Sequence, residues 1–246
     1  DDALYEKYGV KRSLRDLNGI GINAGITNVS LSKSFTTDEN GNRVPCAGEL
    51  YYRGYEIHDL IKGFFLDNRF GFEECTYLLL FGVLPDEKEL QNFKQVLNIS
   101  YDLPHHFIQD VIMKSPTADI IANMTKSTLA LGSYDKKMGD NSLENVLQQC
   151  IQLISMFPRL AVYSYQGYRH YELGKSCYIH KPLPELSFAE NILSTLRSNR
   201  KYTRLEARVL DLALVLHMEH GGGSNSTFTT RVVTSSGSDT YATMAA

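Results

Sequence analysis

The chain has 246 residues, 43% hydrophobic and 22% charged, with a formal net charge of −3, which is enough to bury a sizeable core as one large domain or two small ones. That charge gives no broad attraction to nucleic acid or to anionic membranes, and no apolar run approaches transmembrane length. The opening residues Asp1-Asp2-Ala3-Leu4 lack the basic and apolar regions of a signal peptide, and Cys46, Cys75, Cys150 and Cys177 form no CxxC pair, so a reducing, cytoplasmic setting is expected rather than a disulfide framework or a zinc site.

The first glycine cluster, Gly19-Ile20-Gly21-Ile22-Asn23-Ala24, imitates a dinucleotide loop, but no strong strand precedes it and no βαβ unit surrounds it, so a simple turn explains it better. Residues 32–52 are the convincing β candidate: Asn40-Gly41 sits between Lys33-Ser34-Phe35-Thr36 and Glu49-Leu50-Tyr51-Tyr52, and a loose hairpin is predicted. Asp38, Asn40 and Asn42 briefly resemble a calcium loop, yet the glycine position holds Arg43 and the oxygen ligands run out; a turn is the better reading.

From Phe72 the pattern is helical, ending at Gly82, a natural left-handed cap. Pro85 separates the next helix, for which Asp86 and Glu89 make a capping pair and which should reach about Ile99. A further helix is predicted over about 117–131, stopping at Gly132. Leu143, Val146, Leu147, Cys150, Ile151 and Ile154 then form a single apolar stripe. Pro158 is expected to kink or divide that helix, with apolar content resuming at Leu160. Tyr163, Tyr165, Tyr168 and Tyr171 lack basic interleaving of useful density and read as core or subunit-contact packing. Ser187 and Glu190 fit a capping box for a helix through about Leu196, and another helix from about Thr203 should deliver His217 and His220. Ser238-Asp239 looks like an N-cap for a short final stretch. With no internal repeat or linker, a predominantly helical, all-α unit with one small N-terminal β-hairpin follows.

Chemistry concentrates in Leu216-His217-Met218-Glu219-His220-Gly221-Gly222-Gly223-Ser224-Asn225-Ser226-Thr227. The two histidines, three apart, should lie near one side of a helix. Zinc needs a third ligand, and the metalloprotease spacing of four is absent, so no metal is expected. Two histidines at a helix end, satisfied by carbonyls or by the helix dipole, are the bland alternative. The glycines favour a ligand-contacting loop, because exposed backbone N–H groups and a histidine donor can both hold carboxylate oxygens. No P-loop, Ser/His/Asp set or carboxylate pair can be assembled from spacing.

Residues 216–230 resemble the oxaloacetate-binding signature of citrate synthases. Tyr52-Arg53-Gly54-Tyr55-Glu56-Ile57, residues 72–85 and residues 183–191 resemble further blocks of that family, in family order. The resemblance implies a citrate-synthase-like large domain, usually homodimeric through helix packing, with oxaloacetate and acetyl-CoA as partners and no cofactor. It implies a parent enzyme that condenses oxaloacetate with acetyl-CoA and hydrolyses citryl-CoA. His220 would contact oxaloacetate, Asn225, Ser226 and Thr227 would shape the same site, and His217 would support the turn. The loop has one more residue between histidine and asparagine than some members. By the same resemblance, residues 1–246 are the N-terminal part of the large domain, and the small domain, the Gly-Pro-x-His-Gly segment and the family's two catalytic histidines and catalytic aspartate lie beyond Ala246, so the chain alone is expected to be inactive. Alternatives are 2-methylcitrate synthase, which uses propionyl-CoA, and a non-catalytic helical binding or dimerisation module derived from the fold.

Overall fold

The computed structural model describes residues 2–8, 27–100, 102–219, 221 and 224–246. The first glycine cluster, at 19–24, lies outside the described residues, as do Gly222, Gly223 and His220. After a short helix α1 (Ala3–Lys7) come strands β1 (Ser30–Thr37), β2 (Arg43–Tyr52) and β3 (Tyr55–Glu56), and then helices α2 (Ile57–Leu66), α3 (Phe72–Phe81) and α4 (Glu87–Ser100). A π-helical segment, Ile108–Met113, leads to α5 (Ile120–Gly132), α6 (Leu143–Tyr171), α7 (Phe188–Leu196), α8 (Arg204–Leu216), α9 (Asn225–Ser235) and α10 (Thr240–Ala245). The predicted helical class with one small N-terminal sheet is what the chain adopts.

The hairpin is more regular than predicted. β1 and β2 pair antiparallel from Thr37↔Arg43 to Ser30↔Tyr52, with a register shift between Lys33 and Phe35. Asp38 spends its carboxylate on the turn itself, accepting the backbone N–H groups of Asn40 and Asn42 at 2.9 and 2.8 Å, which accounts for the calcium-like spelling. Arg53 and Gly54 both have positive φ, 49° and 89°, the requirement of a tight two-residue turn that matches strand twist, and they return the chain into β3 opposite Tyr52.

Helix ends follow local chemistry. Gly82 closes α3 with φ 84°, Asp86 and Glu89 exchange reciprocal hydrogen bonds of 2.9 and 2.7 Å ahead of α4, and Ser187–Glu190 and Thr203–Glu206 form complete capping boxes on α7 and α8. The helix predicted over 117–131 starts at Ile120, because Asp119 accepts the N–H of Ala122 and caps it there. Pro158 does not divide its helix: α6 runs unbroken for 29 residues. A mid-helix proline removes one backbone bond at a cost of about 3 kcal/mol, but Leu153 before it and Leu160, Val162 and Tyr163 after it are all buried in one cluster with Phe107, Ile112, Leu131 and Tyr241, and that shared burial holds both halves in line. Tyr163 is fully buried and Tyr171 half exposed, so the aromatic run is split between core and surface.

A second cluster positions the candidate site. Tyr52, Ile57, Leu60, Phe64, Phe72, Cys75, Leu78 and Val215 join the end of the sheet to α2, α3 and α8. Ile57, Leu60, Ile61 and Phe64 show the spacing of a buried helical stripe, and α2 had no counterpart among the sequence predictions.

Candidate functional site

α8 carries the first sequence-predicted residue. Its four-residue apolar rhythm and the Thr203 cap run it to Leu216, and His217 is its C-cap, with φ −104° and ψ 5°. The helix expected to deliver both histidines therefore ends before Met218, and the expectation that His220 shares a side with His217 lies outside the described residues. The ring Nδ1 of His217, an exposed residue, lies 2.6 Å from the Ala213 carbonyl, a contact that an N–H at Nδ1 makes. That bond satisfies one of the carbonyls a helix end leaves open.

The loop after His217 is anchored by the sheet. The Tyr52 hydroxyl, on a fully buried ring, donates to the Val215 carbonyl at 2.7 Å and lies 3.3 Å from the Glu219 carbonyl. Burial pushes its pKa up to about 12, so it stays a donor throughout the physiological range. The N–H of Gly221 donates to Ser30 Oγ at 2.8 Å. Gly221 has φ +83°, and a β-carbon there would stand 2.8 Å from the backbone nitrogen of Ser32. Glycine is required on both counts, by conformation and by room.

Asn225, Ser226 and Thr227 are not in an open loop, as the glycine-rich spelling suggested; they form the first turn of α9. Ser224 caps that helix, its Oγ accepting the N–H of Thr227 at 3.1 Å and lying 2.8 and 2.9 Å from Ser226 Oγ and Thr227 Oγ1. Asn225 and Ser226 are exposed and Thr227 is half-buried. The three residues thus sit where an eleven-residue helix presents its first-turn N–H groups and the positive end of its dipole, an arrangement suited to carboxylate oxygens. Among the described residues no group of three His, Cys, Asp or Glu side chains is placed to hold a metal ion, and no helix is long and apolar enough to cross a membrane. A cavity of about 410 Å³ opens among α3, α4, α6 and α7, walled by Glu73, Lys94, Asn98, Arg159 and Phe188; none of the described residues among 216–227 lines it.

Sequence reading missed the residues that hold α8 in place. Asp211, buried within α8, accepts the backbone N–H groups of Gly71 at 2.7 Å and Phe72 at 3.1 Å, capping α3 from a distant element. Burial pushes its pKa up from 3.8 to about 6, aided by the nearby Glu73 carboxylate and opposed by the two backbone donors and Arg208. Because the folded value lies above the ordinary one, the folded state holds this proton more tightly. The stabilisation is complete below pH 3.8 and lost as pH rises through 6. Asp211→Asn removes that titration. Its unfolding free energy relative to wild type should therefore change by roughly 2–3 kcal/mol between pH 4 and pH 7, in favour of the variant at the higher pH. Denaturant curves that give the same difference at both pH values would rule the titration out.

Residues 23–246 match the family model described as "Citrate synthase, C-terminal domain". The citrate synthase of Saccharolobus solfataricus is 31% identical over 227 residues, covering 92% of this chain and 54% of that protein. A protein of Bacillus subtilis named citrate/2-methylcitrate synthase is 29% identical over 195 residues, covering 79% of the chain and 49% of the relative. A solved structure of the Thermoplasma acidophilum citrate synthase, a ternary complex with carboxymethyl coenzyme A and oxaloacetate, superposes with a TM-score of 0.71 at 25% identity over 91% of this chain and 52% of that one. The chain spans about half the length of the curated relatives it matches.

Proposed function

The chain belongs to the citrate synthase family, and we propose that residues 217–227 form part of the oxaloacetate site of an enzyme that condenses oxaloacetate with acetyl-CoA and water to give citrate and CoA. The observation that carries this reading is the path of that segment: it leaves α8 at His217, is tied to the sheet at Gly221, and enters α9 through a hydroxyl-rich cap. A dicarboxylate needs donors and positive potential, and a helix N-terminus with serine and threonine hydroxyls supplies both. In this reading His220 donates to an oxaloacetate carboxylate, Asn225, Ser226 and Thr227 shape the same site, and His217, held by the Ala213 carbonyl, supports the turn. The ternary complex of the Thermoplasma relative, with oxaloacetate and carboxymethyl coenzyme A, supports oxaloacetate and a coenzyme A derivative as the pair of ligands.

Residues 1–246 are, on the same reading, the N-terminal part of the large domain, and the removal of a proton from the acetyl methyl group belongs to a carboxylate base and two further histidines that the family resemblance places outside them. A homodimer built through helix packing fits α8, which leaves Leu205, Val209 and Leu216 exposed at spacings of four and seven, along one face. Propionyl-CoA is kept as a second acyl donor because one relative is named for both products.

Titration of oxaloacetate into the chain by calorimetry tests the site. Weak binding is expected, and His220→Ala should reduce the affinity about tenfold or more, the loss of one charge-assisted hydrogen bond. A titration curve unchanged by the substitution would reject the role given to His220.

A further inference from the structure

We infer that the cross-strand pair Ser30 and Tyr52 is a positioning device for the substrate loop: one rung of the N-terminal hairpin grips the chain at Val215, Glu219 and Gly221 and so sets the path of the segment proposed to hold the substrate. The two residues are register partners in the β1–β2 ladder. One reaches Gly221 at 2.8 Å and the other reaches Val215 at 2.7 Å and Glu219 at 3.3 Å. The gripped positions bracket the loop in sequence. Because they sit opposite each other, a slip of the ladder would carry both away from the loop together.

The clasp is separable from ordinary packing. The Tyr52 ring belongs to the cluster with Ile57, Leu60 and Val215, and a phenylalanine ring would fill the same space. Its hydroxyl does something the cluster does not need: it gives the Val215 carbonyl, in the last turn of α8, a donor at 2.7 Å, where the backbone supplies only the Met218 N–H at 3.5 Å. Ser30, 8% exposed, contributes a small side chain whose polar atom is committed to Gly221. Neither residue is assigned to substrate contact, so both act through the loop. The close approach of Gly221 to Ser32 leaves that loop one seat against the strand.

The inference rests on the proposed oxaloacetate site for its purpose, and two readouts keep the two ideas apart. Oxaloacetate titration and amide hydrogen exchange are measured on the 246-residue chain as wild type, Tyr52→Phe, Ser30→Ala and Ser30→Thr. Ile57→Val serves as the control, since it loosens the same cluster without touching the clasp. The expected result is a five- to tenfold rise in oxaloacetate Kd for Tyr52→Phe and Ser30→Ala, with amides 218–221 exchanging about tenfold faster and α6 unchanged. Ser30→Thr, which keeps a hydroxyl, should recover most of the affinity, and Ile57→Val should leave Kd and the loop amides as they are. If wild type binds and the Phe and Ala variants bind equally well, the clasp does not position the site. If no chain binds oxaloacetate, the functional reading fails, and the exchange data alone decide the clasp: faster loop exchange in Tyr52→Phe and Ser30→Ala upholds it, unchanged exchange overturns it.

Discussion

Gly221→Ala should weaken oxaloacetate binding by roughly thirty- to a hundredfold while moving the melting temperature by only a few degrees. Two costs meet at this residue. A residue with a β-carbon at φ +83° is strained by about 1–2 kcal/mol, and the new methyl would stand 2.8 Å from the Ser32 backbone nitrogen, an atom that the paired strand cannot move cheaply. The least costly relief is for the loop to leave the strand, giving up the bond to Ser30. Binding is then reduced by the fraction of molecules that still hold the seated loop. The caps on either side, His217 on Ala213 and Ser224 on Thr227, are untouched, so global stability changes little. Calorimetric titration beside a thermal melt checks both halves. Wild-type affinity in the Ala variant would mean that the seat of Gly221 against β1 is irrelevant to the site.

Supplied with oxaloacetate and acetyl-CoA, the 246-residue polypeptide is expected to form no citrate above the uncatalysed background. The groups proposed for the site are hydrogen-bond donors, which can hold a dicarboxylate. Taking a proton from a thioester methyl group requires a positioned base and stabilisation of the resulting enol, and each such group is worth about 10²–10⁴ in rate. Holding one substrate does not substitute for them. Release of CoA, followed with a thiol reagent, gives the rate directly. A turnover that is present in the purified chain and lost on His220→Ala would overturn the assignment of the chemistry to residues outside this stretch.

The parts of this fold that the sequence made legible are those decided within one or two turns. Gly82, Asp86 with Glu89, Ser187 with Glu190 and Thr203 with Glu206 each settle a helix end through neighbours three or four residues away, and all were readable. The stripe from Leu143 to Ile154 gave α6, but its continuation through Pro158 depends on burial shared with Phe107, Leu131 and Tyr241, which no local rule contains. α9 was hidden for the opposite reason: Asn-Ser-Thr-Phe-Thr-Thr-Arg-Val-Val-Thr-Ser is poor in helix-favouring residues, and only the Ser224 cap announces it. α2 could have been found from Ile57, Leu60, Ile61 and Phe64, with Glu56 accepting the N–H of His58 as its cap. The candidate site divides in the same way. Its residue types and order were visible, whereas the contacts that arrange them, Tyr52 to Val215, Ser30 to Gly221 and Asp211 to Gly71, join positions 163, 191 and 140 residues apart.

The bond from Ser30 to Gly221 also bears on the order in which the molecule takes shape. A contact spanning 191 residues closes a very long loop, and the entropy of that closure must be met before the contact returns anything. The hairpin leaves the ribosome before α2 to α8 are made and packed. The ligand loop therefore settles on its strand only when the packing of the helices between them has brought the two together. Recognition of a small molecule, although its residues are contiguous, is in this architecture a late event of folding.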